Sequence, residues 1–121
     1  MLKAVTFDLW NTVIKEKAED SIETVVITRL QDILARHEAA RSRKDITDAT
    51  IRCRDKVMAL QVSEGKEMPP EEQLVWIVAE LNIPMTDKLM AELYEAYTTA
   101  SLEELPEPVP GVAQVLDQLK Q

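Results

Sequence analysis

The sequence predicts a mostly α-helical chain with one β-strand near its N-terminus, and three observations lead to this fold class. Residues 2–10 form a short apolar segment rich in β-branched and aromatic residues, which is typical of a buried strand ending near Asp8. Apolar residues then recur at steps of three and four through residues 21–104, as in amphipathic helices. Three prolines within residues 106–110 separate this helical region from a last amphipathic segment.

The first two helices follow from their apolar spacing and from residues that cap helix ends. Asp20 followed three residues later by Glu23 resembles a capping box, so a long helix is predicted over residues 21–41. Asp45 or Thr47 can cap the second helix, which carries an apolar stripe on one face.

The remaining helices have proline, threonine and glycine signals at their ends. Gly65 is predicted to end the second helix, and Pro70 suits the first turn of a third helix over residues 70–81. Thr86 is predicted to cap a fourth helix that reaches about residue 104. After an extended connector, residues 111–121 form a short helix with one apolar face, made of Val112, Val115, Leu116 and Leu119.

Composition and charge exclude several classes of function. The 121 residues carry a formal net charge of −8, which argues against binding to nucleic acid or to an anionic membrane. No apolar run reaches the roughly 18 to 20 residues that span a bilayer, and no signal-peptide pattern opens the chain, so a cytoplasmic protein is expected. With Cys53 and His37 as the only residues of their types, a metal site must use oxygen ligands.

Two segments resemble parts of the haloacid dehalogenase (HAD) superfamily of hydrolases. Residues 3–12 read Lys-Ala-Val-Thr-Phe-Asp-Leu-Trp-Asn-Thr, which is similar to the first motif of that family, an apolar strand that ends in a nucleophilic Asp. Residues 108–120, which begin Pro-Val-Pro-Gly-Val and end Leu-Lys, are similar to the segment by which HAD enzymes return from a helical cap.

The resemblance implies an α/β HAD-like parent of which this chain is the N-terminal portion. Residues 1–14 would then be the first strand and motif loop of the core, residues 15–105 a helical cap built as a four-helix bundle, and residues 106–121 a linker and return helix. The Ser or Thr, Lys and acidic residues of the family's later motifs have no counterpart in these 121 residues, so the chain alone is expected to be inactive.

In the family's terms, the candidate catalytic residues are Asp8, Trp10 and Thr12, and Asp8 with the Trp10 carbonyl would be metal ligands. Phosphatases of the family carry a second Asp at the position of Trp10, as the acid that protonates the leaving group. Trp10 cannot do this, whereas dehalogenases carry an aromatic residue there, and Asn11 replaces the usual Gly. The resemblance therefore implies a small phosphorylated or halogenated substrate, and it implies Mg²⁺ in the complete protein for the phosphatase reaction and none for the dehalogenase reaction.

A non-catalytic helical module for interaction or dimerisation is the alternative function. A lone strand leaves its backbone donors and acceptors unpaired, so self-association through the strand and the apolar face of the last helix is expected. Seven basic residues within residues 36–56 form either a solvated helical surface or an attractor of anions. Other residues with reactive or aromatic side chains are expected to be packed or hydrogen-bonded in the helical region: His37, Cys53, Trp76, Tyr94 and Tyr97.

Overall fold

A computed structural model describes residues 4–15, 19–103 and 105–120, with the side chains of residues 19–21 outside the description. The element order is β1 (Ile14–Lys15), α1 (Glu19–Arg36), α2 (Arg43–Glu64), α3 (Pro70–Glu80), α4 (Asp87–Thr98), a 3₁₀ helix (Ala100–Leu102), β2 (Glu107–Pro108) and α5 (Val112–Leu119). The prediction of a mostly helical chain is confirmed. Below, residues 19–102 are called the helical unit, and residues 4–15 with 105–120 the terminal unit.

Helix α1 ends five residues earlier than predicted. Glu38 has a left-handed backbone, with φ of 56°. The N–H of Ala39 donates to the carbonyl of Leu34 at 2.9 Å, and that of Glu38 to Ala35 at 3.2 Å, which is the Schellman pattern of helix termination. Glycine usually occupies the left-handed position of this motif, so the sequence carried no signal for this helix end.

The second helix is capped by a residue other than the two predicted. Ser42 has an extended backbone, and its hydroxyl accepts a hydrogen bond from the N–H of Asp45 at 3.1 Å. The same hydroxyl donates to the Asp45 carboxylate at 2.6 Å, so Asp45 lies inside the first turn and Thr47 beyond it. Gly65 ends α2 with φ of 62°, as predicted.

Helix α3 has nearly its predicted bounds, and α4 begins where it was predicted to begin. Pro70 begins α3, and Asn82, with φ of 52°, lies just past its end. The Thr86 side chain caps α4 by accepting from the N–H of Leu89 at 3.2 Å. Helix α4 ends at Thr98, before the predicted end, and position 104 lies outside the described residues.

The apolar core lies entirely within the helical unit. Helix α1 packs on α4 and α2, and α3 packs on α2 and α4, so four helices surround one centre. In the described part of the chain, sixteen buried apolar residues run from Val26 to Ala100, and the largest fully buried ones are Leu34, Ile46, Leu74, Ile77 and Leu93. The predicted four-helix bundle is confirmed as a packed unit. Among the described helices, none combines the length and apolar character that a membrane span requires.

The buried N-terminal strand is not observed. Residues 4–9 have no regular secondary structure, and Trp10 makes only an isolated bridge to Ile14. A strand needs a neighbour for its N–H and C=O groups, and the described residues offer none along 4–9. Four large apolar side chains therefore remain exposed: Val5, Phe7, Leu9 and Trp10.

The proline-rich connector forms a strand that was not predicted. Strand β2 pairs antiparallel with β1, with Ile14 opposite Pro108 and Lys15 opposite Glu107. Proline cannot donate to a ladder, but it is tolerated at a sheet edge, and the N–H of Val109 donates to the Val13 carbonyl at 2.9 Å. The proline-rich linker is thus extended as predicted, but part of it is hydrogen-bonded to β1 as a strand.

Helix α5 forms where the sequence predicts it, after Gly111 with φ of 86°. None of its residues is buried, and its apolar face leaves Val115, Leu116 and Leu119 exposed. This face and the N-terminal apolar segment make the terminal unit an open apolar surface.

Candidate functional site

The loop of residues 8–13, called here the Asp8 loop, is a compact turn. The carbonyl of Leu9 accepts from the N–H groups of Val13 and Ile14, at 2.9 and 3.0 Å, and the N–H of Asn11 donates to the Ile14 carbonyl at 2.7 Å. Asn11 has φ of 57°, in the left-handed region that Gly and Asn adopt most easily. Asn11 therefore serves the conformation for which glycine is the usual residue.

The loop brings two of the three predicted catalytic residues together. The Thr12 hydroxyl donates to Oδ2 of Asp8 over a long 3.4 Å, and both residues are exposed. Among the described residues, no other hydrogen bond to the Asp8 carboxylate is formed. Asp8 is thus an accessible carboxylate with one weak orienting contact.

Trp10 lies in the same loop with its side chain 43% exposed and packs into no core. As the second predicted metal ligand, it would supply its backbone carbonyl beside the Asp8 carboxylate. In the described part of the chain, no group of three or more His, Cys, Asp or Glu side chains is placed to hold a metal. Mg²⁺ commonly takes one or two carboxylates, waters and substrate oxygens, so the single carboxylate of Asp8 fits only as part of a larger ligand set.

The Asp8 loop lies against the chain's return from the helical unit. A cavity of about 240 Å³ is lined from the loop side by Phe7, Thr12 and Val13, and from the other side by residues 110–112, Val115 and Leu116. The backbone pairing between β1 and β2 holds these two segments together. The point where the chain enters the helical unit and the point where it leaves are therefore adjacent to each other and to the Asp8 loop.

Four of the five side chains expected to be packed or hydrogen-bonded are as predicted, and two of these are His37 and Cys53. Nε2 of His37 is 3.1 Å from Oε1 of Glu92. Cys53 is 1% exposed, its thiol donates to the Gln73 carbonyl at 3.7 Å, and burial raises the pKa of the thiol. Cys53 is therefore a structural thiol.

The three aromatic residues divide into two groups. Trp76 and Tyr97 are partly buried against the core, and the Lys56 ammonium lies 5.6 Å from the centre of the Trp76 ring. The prediction for Tyr94 is wrong, because it is 39% exposed. Leu93 beside it faces the core, and one helical position turns a side chain by about 100° away from its neighbour.

The basic residues within residues 36–56 form separate ion pairs, hydrogen bonds or ring contacts, each with its own neighbour. Lys44 pairs with Asp48 at 2.5 Å, and Arg52 with Glu80 at 3.0 Å. Arg41 donates to backbone carbonyls at the end of α3 instead. This pattern favours the solvated helical surface over a concentrated anion attractor.

Sequence reasoning missed a second cavity, of about 390 Å³, that lies within the helical unit. It is lined in part by Glu23, Arg54, Gln73 and Tyr97, which come from four different helices. Glu23 was assigned only to a helix cap and Arg54 only to a basic patch. Nothing in the spacing of these residues along the chain indicates that they meet.

Comparison of the chain with protein-family models, with curated proteins and with solved structures finds no match.

Proposed function

We propose that the chain is the N-terminal portion of a HAD-like hydrolase, in which Asp8 is the covalent nucleophile toward a small phosphorylated or halogenated substrate. The exposure of Asp8 supports this role, because a nucleophilic carboxylate must reach its substrate. The hydrogen-bonded turn after Asp8 supports it as well, because it orients the carboxylate on a defined backbone.

The pairing of β1 with β2 carries the proposal. It places the two ends of the helical unit side by side, immediately after the Asp8 loop. A cap inserted after a nucleophile-bearing segment needs this arrangement, because the helices must return the chain to the place they left. Residues 15–105 are accordingly proposed as the cap and residues 106–121 as the linker and return helix.

The chemistry follows from the side chains of the Asp8 loop. A carboxylate oxygen of Asp8 attacks the phosphorus, or the carbon that bears the halogen, while the bond to the leaving group breaks. Trp10 cannot protonate a leaving group, and a halide ion needs no proton, so the halogenated substrate is favoured. With a phosphorylated substrate, Mg²⁺ held by Asp8 and the Trp10 carbonyl would neutralise phosphoryl charge.

The test uses the complete open reading frame that contains these residues. The purified product is assayed for halide release from 2-haloacids and for phosphate release from small phosphate esters, with and without Mg²⁺. We expect Asp8→Asn to abolish turnover, while Asp117→Asn, an exposed acid on α5, leaves it unchanged. Full activity of Asp8→Asn would remove the nucleophile assignment.

The second candidate function, a non-catalytic interaction module, is favoured by one observation. The terminal unit exposes the apolar side chains of residues 5–10 together with the apolar face of α5. Exposed apolar side chains gathered on one part of a small protein are typical of association sites. If this function holds, the 121-residue chain self-associates through these surfaces.

Light scattering on the 121-residue chain tests this candidate. We expect a mass above that of a monomer, which the double variant Phe7→Ser with Leu119→Ser reduces to the monomer. Val62→Ser, an exposed apolar position on α2, is the matched control and should leave the mass unchanged. A strictly monomeric wild-type chain would contradict the candidate.

A further inference from the structure

The cavity of about 390 Å³ in the helical unit has the size and the walls of a small-molecule site. It opens between α1 and α2 and is walled by the apolar side chains of Ile22, Val26 and Val57. Its volume lies within the range of roughly 300–1,000 Å³ common among ligand pockets, which combine apolar walls with a few polar groups. The cavity is distinct from the Asp8 loop, none of whose residues lines it.

Two polar side chains of the cavity wall, those of Gln73 and Tyr97, are hydrogen-bonded within the protein. The Tyr97 hydroxyl donates to Oε1 of Gln73 at 2.7 Å, and Nε2 of Gln73 donates to the Met68 carbonyl at 2.7 Å. Burial raises the pKa of Tyr97, so the phenol remains neutral at physiological pH. This part of the wall therefore offers an uncharged aromatic surface, which suits an apolar group.

Two opposite charges accompany the apolar walls. Nη1 of Arg54 lies 3.3 Å from Oε2 of Glu23, and the two side chains are 56% and 33% exposed. A partly exposed ion pair with one long contact stabilises a protein by little, typically less than about 1 kcal/mol. A ligand with its own pair of charges can therefore replace it at small cost.

We propose that this cavity binds a free apolar α-amino acid, with the ammonium on Glu23, the carboxylate on Arg54 and the side chain against Ile22, Val26 and Val57. The charges of the ligand are complementary to those of the cavity, because an amino acid carries one positive and one negative group. Its apolar side chain contacts the apolar walls at the same time. An apolar acid without an amine meets repulsion from Glu23, and an amine without an acid meets repulsion from Arg54. The site rests on the helical unit and is independent of the chemistry proposed for Asp8.

Calorimetric titration of the 121-residue chain with leucine and phenylalanine tests the proposal. We expect saturable binding below about 10 mM, as befits a ligand of so few atoms. The comparison ligands are 4-methylpentanoate, which lacks the amine, 3-methylbutylamine, which lacks the acid, and serine, which lacks the apolar group. Each should bind at least about tenfold more weakly than leucine, since each loses one of the three interactions.

Variants locate the binding. Arg54→Gln and Glu23→Gln should each weaken leucine binding by about tenfold or more, because each removes one charged partner. Arg52→Gln removes a similar ion pair, with Glu80, from the same helix and should bind like the wild type. Val57→Trp should abolish binding by filling the cavity, with circular dichroism confirming that it folds.

Three results would overturn the proposal: no saturable binding of leucine or phenylalanine to the wild type, equal binding by Arg54→Gln and Arg52→Gln, or equal affinity for leucine and 4-methylpentanoate. The surface substitutions at Glu23 and Arg54 decide the matter even if Val57→Trp does not fold.

Discussion

The helical unit and the terminal unit contain similar apolar residues but use them in opposite ways. Among the residues that the structure describes, every buried apolar residue lies between Val26 and Ala100, whereas Phe7, Leu9 and Leu119 of the terminal unit are about half exposed. A helix satisfies its backbone hydrogen bonds internally and needs only a packing partner for one face. A strand needs a neighbouring strand, so the same apolar content remains unburied where no neighbour is present.

Polar contacts sharpen the contrast. In the helical unit, Arg41 joins the α1–α2 connection to the end of α3. Arg29 of α1 donates to the Ala96 carbonyl of α4 and to the Thr99 hydroxyl just after it, and pairs with Glu103 beyond the unit. The terminal unit is held chiefly by the two-residue pairing of β1 with β2. We therefore expect stability to reside in the helical unit.

The largest expected effect is the difference between two Leu→Ala substitutions. Leu93→Ala, at a site 1% exposed, should lower the free energy of unfolding by about 2–5 kcal/mol, since it removes buried surface and leaves a cavity. Leu119→Ala, at a site 52% exposed, should change it by less than about 0.5 kcal/mol. Urea unfolding followed by circular dichroism measures both, and similar losses would contradict the contrast between the two units.

A smaller effect is expected from the arginine that joins α3 to the α1–α2 connection. Nε of Arg41 donates to the Leu81 carbonyl at 3.0 Å and Nη2 to the Asn82 carbonyl at 3.2 Å. Arg41→Met should cost about 1.5–3 kcal/mol of unfolding free energy, because the partly buried Leu81 contact is lost. Arg43→Met, which loses one exposed bond to Thr28, is the control and should cost less than about 0.5 kcal/mol. If urea unfolding showed the same loss of unfolding free energy for both variants, the contacts of Arg41 would not stabilise the helical unit.

The smallest expected effect concerns Tyr97, and it depends on pH. Tyr97→Phe should cost about 1 kcal/mol at neutral pH, the usual worth of a neutral hydrogen bond such as that to Gln73. Because burial raises the pKa of Tyr97 above its ordinary value of 10.0, the unfolded chain loses this proton first as pH rises. Its contribution to stability is complete below pH 10 and declines above it.

Urea unfolding midpoints of the wild type and of Tyr97→Phe, measured between pH 8 and 11, test whether stability declines in this direction. The raised pKa of Cys53 also makes the free energy of unfolding decline above pH 9.0, and this decline occurs in the wild type and in Tyr97→Phe alike. The two proteins should therefore differ only above about pH 10, where the wild type also loses the contribution of Tyr97 and declines more steeply than the variant. Tyr94→Phe, at an exposed site, is the matched control and should follow the wild type. A wild-type curve no steeper than that of Tyr97→Phe would contradict the buried environment of this phenol.

The sequence predicted those elements whose signals are local. Gly65 and Thr86 ended and began helices as expected, because each acts on backbone groups within four residues. The end of α1 was misplaced because Glu38 adopts the left-handed position without being glycine. Tyr94 was misplaced because apolar steps of three and four along a helix are compatible with burial of either of two neighbouring faces. Only the packing of α4 in the tertiary structure determines which face is buried.

For the candidate site, the sequence predicted the positions of Asp8, Trp10 and Thr12 but not their surroundings. The contact of Thr12 with Asp8 spans four residues and follows from a local turn. The approach of Val109 to Val13 spans the whole helical unit, and the meeting of Glu23 with Arg54 joins two helices. The family resemblance alone indicated that the segment around Val109 returns toward residues 1–14, and nothing along the chain indicated that Glu23 meets Arg54.

By itself, the sequence determined the helical character of this protein, most of its helix ends and the apolar faces, since capping and side-chain periodicity act over a few residues. Only the tertiary structure decided that residues 4–9 form no strand, that the proline-rich return pairs with β1, and that a charged pair accompanies an apolar cavity between α1 and α2. These features depend on which segments become neighbours in space. The backbone groups and charges that interact are far apart along the chain, so no local pattern in the sequence indicates their pairing.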